Sequence, residues 1–146
     1  MIIDRGFITS GLPLPMTEQT PSKPTRLPIV AIGALTGGVA ALTAFFQNLP
    51  TPNGIAFVVI LHQPANRQRR LVTLLQQTTR LPVMLVEHGM APQPDVVYVA
   101  PLGNKLALID GLLCVVARVR KERYMPIDFF LHSLANNWGA DAAAVI

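Results

Sequence analysis

Ala31-Ile32-Gly33-Ala34-Leu35-Thr36-Gly37-Gly38 is the stretch whose reading decides the fold. The apolar run Ile29 to Ile32 leads into it, and Val39, Leu42, Phe45 and Phe46 leave it at helical spacing, closed by Asn48 and Pro50. The pattern predicts a strand, a glycine-rich turn and a helix. Working outward, Ile55 to Leu61 is a second continuous apolar run. Arg67 to Thr79 carries Leu71, Leu74 and Leu75 on one face, and Val83 to Val86 is apolar again. Continuous apolar strands alternating with amphipathic helices predict a βαβαβ unit, hence a parallel sheet covered on both faces.

Val96 to Ala100 reads as a further strand, ended by Pro101. Lys105 to Ile109 and Leu112 to Ala117 flank Asp110-Gly111, the dipeptide favoured in a two-residue turn, so a β-hairpin is expected there. Pro126 suits a first helical turn, and Phe129, Phe130, Leu134 and Trp138 give an amphipathic helix stopped by Gly139. Ala142 to Ile146 is expected to be another buried strand, with no turn after it. The predicted fold is α/β: a doubly wound, mostly parallel sheet with a β-hairpin insertion, incomplete at the C-terminus. Residues 1–26, with Pro13, Pro15, Pro21 and Pro24 among Ser, Thr and Gly, read as a flexible tail or linker, and 27–146 as the domain.

Composition narrows the function classes. A chain of 146 residues has room for one domain with a sizeable core, and with 51% hydrophobic and 14% charged residues it must bury much of its length or find a partner to cover it. No apolar run reaches the roughly 18 residues that span a bilayer, and no signal peptide opens the chain, so a cytoplasmic protein without membrane insertion is expected. The lone Cys114 cannot form an internal disulfide and reads as a small core residue. The net charge is +4, with basic residues gathered at Arg67 to Arg70 and Arg118 to Arg123. These groups lack the interleaved aromatics of a single-strand binder and any helix-turn-helix or zinc-ligand pattern. They read as solvated faces, and no nucleic acid is expected.

In open α/β sheets, sites form at the carboxyl ends of the strands, where helix N-termini offer backbone donors. Two such ends stand out. The first strand runs into Leu35-Thr36-Gly37-Gly38 and the second into His62-Gln63-Pro64, and adjacent parallel strands would bring Leu35 and His62 together. A serine at the first place and a histidine at the second would make a nucleophile and its base. A dinucleotide site fails here, because the second strand ends in His62 rather than an acidic residue and the glycines at 33, 37 and 38 are not GxGxxG. No cofactor is expected. Thr36 reads first as a helix cap and second as a substitute nucleophile. His62 reads equally as a remnant base or as a polar residue kept for a local hydrogen bond. His88 and His132 have no partners at metal-ligand spacing, so no metal is expected.

Ala-Ile-Gly-Ala-Leu-Thr-Gly-Gly at 31–38 resembles the AIGAS[TA]GG turn of the chemotaxis protein-glutamate methylesterases, the CheB type. The likeness continues through Phe57-Val58-Val59-Ile60-Leu61-His62, through Val97-Tyr98-Val99-Ala100-Pro101, and through Pro126-Ile127-Asp128-Phe129-Phe130-Leu131-His132-Ser133-Leu134-Ala135. It runs collinearly over about residues 27 to 146. The PIDFF wording is most similar to methylesterase domains fused to methyltransferase modules. The resemblance implies hydrolysis of methyl esters on glutamate side chains of methyl-accepting chemoreceptors, with serine, histidine and aspartate on a doubly wound sheet.

Carried over residue by residue, the resemblance puts the family's serine on Leu35, the small residue after it on Thr36 and its histidine on His62. Its aspartate belongs to a GxGxDG segment that would follow Ile146. A leucine has no oxygen with which to attack an ester, and a histidine without its carboxylate loses tautomer control and stabilisation of its protonated form. A partial methylesterase-like domain that does not catalyse is therefore expected. The alternative is a non-catalytic module that binds the glutamate-rich helices of chemoreceptors. Uncovered apolar surface is expected to drive self-association.

Overall fold

The computed structural model describes residues 26–146. The elements run β1 (Ile29–Leu35), α1 (Val39–Gln47), β2 (Ala56–His62), a 3-10 turn (Ala65–Arg67), α2 (Gln68–Thr78), β3 (Val83–Leu85), β4 (Val96–Val99), β5 (Lys105–Ile109), β6 (Leu112–Val116), α3 (Pro126–Trp138), a second 3-10 turn (Gly139–Asp141) and β7 (Ala142–Val145). The five-stranded sheet has the order β3-β4-β2-β1-β7, and every neighbouring pair is parallel.

Alternation along the strands divides the core in two. Ala56, Val58 and Ile60 of β2 face one side, with Phe130 and Leu134 of α3 and with Leu106, Leu108 and Leu113 of the hairpin. Phe57, Val59 and Leu61 face the other, with Leu42 and Phe46 of α1 and Leu71 and Leu75 of α2. Both faces of β2 are buried, which is why its sequence is continuously apolar.

The hairpin forms as the Asp110-Gly111 dipeptide predicts, with positive φ at both residues (51° and 79°), as the favoured two-residue turn requires. It is clipped to α3 by Ser133, whose Oγ accepts from the buried Leu108 N–H at 2.9 Å and donates to the Phe130 carbonyl at 2.8 Å. Pro126 occupies the first turn of α3, where its missing N–H costs nothing. At the start of the sheet, Trp138 Nε1 donates to the Leu27 carbonyl at 2.7 Å, and Arg26 stacks over the Trp138 ring at 4.7 Å. The rest of the expected tail, residues 1–25, lies outside the described residues.

Two expectations are corrected. Ala142 to Ile146 is not a buried strand: β7 pairs with β1 on one side only, so Ala143 and Ala144 are exposed, Val145 is 44% exposed and Ile146 83%. Cys114 is not a core residue either. It sits half-buried on β6, with Sγ 3.7 Å from the Leu112 carbonyl, because the hairpin packs by Leu106, Leu108 and Leu113 instead.

Candidate functional site

Parallel pairing of β1 with β2 runs in register from Ile29 opposite Ala56 to Leu35 opposite His62. The two residues singled out by sequence therefore stand side by side at the carboxyl edge of the sheet. Both are exposed, Leu35 to 66%. No other leucine among the described residues is left so open, and nothing in the packing of the core calls for an apolar side chain there.

The chain then turns from strand to helix within three residues. The Gly38 N–H donates to the Leu35 carbonyl at 2.9 Å, closing the turn. Gly37 takes φ +109°, a conformation that side chains rarely adopt. Gly38 has ordinary dihedrals but no room, since a Cβ there would lie 2.7 Å from that of Ala34. One glycine serves the backbone and the other the packing.

Thr36 does not cap α1, which corrects the first of its two readings. The capping position is Gly38, with no side-chain hydrogen bond. The Thr36 hydroxyl instead donates to the backbone carbonyl of His62 at 3.4 Å, tying the turn to the end of β2. The first-turn amides of α1 thus have no side-chain acceptor, and a helix start of this kind favours negative charge nearby.

The His62 imidazole makes no hydrogen bond to any described residue. Asp128 lines the same cavity, in the first turn of α3, but neither a hydrogen bond nor an ion pair joins it to His62. What holds the ring is Tyr124, packed edge-to-face at 5.2 Å between centroids and 81° between planes. Tyr124 is fixed in turn: its hydroxyl donates to the Asn104 carbonyl at 3.0 Å and accepts from the Gly103 N–H at 3.1 Å, while the Arg118 guanidinium lies 4.6 Å over its ring.

The loop carrying Tyr124 is anchored below the site. Lys105, buried at the start of β5, reaches Glu122 at 2.6 Å and lies 4.4 Å over the ring of Phe129. The hydrogen bond from Lys105 holds the Glu122 carboxyl below its ordinary range, with the lysine charge acting in the same direction. Tyr124 escaped the sequence reading because a single tyrosine after a basic run has no periodicity to mark it.

Leu35, Thr36, His62, Tyr124, Met125 and Asp128 are among the residues around one cavity of about 810 Å³, most of whose walls are apolar. His88 and His132 lie outside it. The His88 Nδ1 accepts from the Val115 N–H at 3.1 Å on the hairpin, and His132 is exposed on α3. Among the described residues no three His, Cys, Asp or Glu side chains gather as metal ligands, and no helix is long and apolar enough to cross a membrane.

Comparison with known proteins places this architecture. The family model described as CheB methylesterase matches residues 30–146. A protein-glutamate methylesterase/protein-glutamine glutaminase of Pseudomonas syringae pv. syringae (strain B728a) is 35% identical over 128 residues, covering 86% of this chain and 38% of the relative. A protein of the same description from Burkholderia orbicola (strain AU 1054) is 34% identical over 140 residues, covering 94% and 40%. The crystal structure of the Thermotoga maritima CheB methylesterase catalytic domain is similar with a TM-score of 0.75 and 30% identity, over 84% of this chain and 67% of that one. The chain spans about two fifths of the length of these curated relatives.

Proposed function

The chain belongs to the CheB methylesterase family, and from that premise we propose that it is a methylesterase-like domain of chemotaxis signalling whose own residues do not hydrolyse the ester. The observation that carries the proposal is Leu35, in register with His62 at the strand-to-helix turn, the position onto which the family resemblance carries the serine. Acyl transfer by this route needs an oxygen nucleophile within hydrogen-bond reach of a base, and a base oriented by a third group. Leu35 supplies no oxygen, and the His62 ring packs edge-to-face with Tyr124, with no hydrogen bond to a carboxylate among the described residues.

The scaffold features that would serve such a reaction are kept. The α1 N-terminus is left without a side-chain cap, the glycine turn is intact, and His62 is exposed to the cavity. Glutamate-rich chemoreceptor helices in the cytoplasm are the partner this reading names, and exposed apolar residues beside the site favour self-association.

The test is release of methanol from a methylated, glutamate-rich receptor peptide. No turnover above background is expected from the chain. Turnover that His62→Ala or Thr36→Val abolishes, with folding retained, overturns the proposal. The second variant matters because the Thr36 hydroxyl lies near the end of β2 and is the oxygen nucleophile the turn still holds.

A further inference from the structure

A second cleft, of about 950 Å³, opens on the other side of the same turn. Thr36 and Gly37 line both cavities, so the two are contiguous across the strand-to-helix turn. One wall of the second cleft is a single face of the 3-10 turn and α2: Arg67, Arg70, Leu74 and Gln77 follow one another at spacings of three and four residues, with Arg69 beside them. All three arginines are exposed, none makes an ion pair with a described residue, and no acidic side chain lines the cleft.

The lining also has an apolar edge and a polar floor. Leu74 is 38% exposed and lies with Val39 and Leu71 along the cleft. Gln63 is only 9% exposed, yet its side-chain amide makes no hydrogen bond to any described residue. A buried amide left open in this way is a group that a ligand can satisfy. No aromatic side chain lines the cleft, so bases have nothing on which to stack.

We infer that this cleft is a docking groove for an acidic amphipathic helix, laid along α2 so that one of its side chains reaches the Thr36-Gly37 turn. Carboxylates on one face of the helix meet Arg67, Arg69 and Arg70, and its apolar edge lies on Leu74. The inference deepens the receptor-facing reading and rests on it for the class of partner. It adds the surface: the α2 arginines rather than the basic loop Arg118 to Arg123.

The experiment is fluorescence anisotropy of a labelled, glutamate-rich amphipathic helical peptide titrated with the full chain at two salt concentrations. Two triple variants of equal net charge are compared: Arg67→Glu/Arg69→Glu/Arg70→Glu in the cleft, and Arg80→Glu/Arg120→Glu/Lys121→Glu away from it, with circular dichroism checking that each folds. Leu74→Ser probes the apolar edge without changing charge and is expected to weaken binding. The chain and the distant triple variant are expected to bind alike and more weakly as salt rises. The cleft variant should lose about tenfold or more, since three exposed ion pairs of modest strength are reversed together. Equal binding by the two triple variants overturns the groove and leaves the receptor-facing reading standing. Absence of binding by the unmodified chain at low salt overturns both. Tighter binding of an oligothymidylate than of the peptide overturns the groove in favour of a nucleic-acid surface.

Discussion

Position 35 and its neighbour across the strands, His62, stand at the centre of the proposed site, and each substitution there has a separable consequence. Leu35→Ser would put an oxygen in the turn, but no carboxylate among the described residues bonds to His62 to fix its tautomer. Loss of that member alone costs about four orders of magnitude in kcat in a serine-histidine-aspartate site. Methanol release by Leu35→Ser is therefore expected to stay near background, and turnover comparable to that of an intact methylesterase would contradict it. Gly33, two residues earlier, is constrained by packing. A Cβ there would lie 2.7 Å from Ile127 Cγ2 on α3. Gly33→Ala should lower stability by about 1–3 kcal/mol, as overpacking does elsewhere, measured as an earlier urea midpoint. Thr36 illustrates how one residue type serves two ends: a threonine before two glycines fits a cap by composition, whereas the hydroxyl's neighbour in space, the His62 carbonyl, decided otherwise.

At the level of elements, the site depends on a loop held from beneath. Lys105 on β5 draws in Glu122, the loop brings Tyr124 against His62, and the Arg118 guanidinium lies over the Tyr124 ring. The Glu122 carboxyl is held below its ordinary range in the folded state, so the tether stabilises the fold while pH is above the unfolded carboxyl's range. Its contribution is lost as pH falls through the depressed folded value. Acidification should release the loop, seen as a shift of the His62 ring resonances toward those of Glu122→Gln. That variant should lack the acid-dependent step, and an unchanged step in it would break the link between tether and site. The hairpin and each helix were legible in sequence because local patterns report local geometry: Asp110-Gly111 for the turn, Pro126 for a helix start, and continuous apolar runs for strands buried on both faces. Tyr124 and Glu122 were not, since a stacking ring and an ion pair from an exposed Glu122 to the buried Lys105 bring together residues whose spacing in the chain is arbitrary.

For the whole molecule, exposed apolar surface collects at one corner of the sheet. Leu35, Val145 and Ile146 line the cavity at the carboxyl ends of the strands, and β7 leaves one edge without a partner among the described residues. Edges of this kind invite another chain. Sedimentation should show mass rising with concentration, and Val145→Lys with Ile146→Lys should reduce it; a monomer at every concentration would contradict this. Sequence by itself determined the α/β class, the two strand ends that meet at Leu35 and His62, and a side chain without an oxygen at position 35. These follow from residue identity and from periods of two and 3.6, which any window of the chain displays. Tertiary structure decided the strand order, with β4 lying between β2 and β3, the exposed edge that β7 occupies, and the aromatic and arginine walls around the turn. Those depend on which surfaces meet after the chain collapses, and partners distant in sequence leave no local period to read.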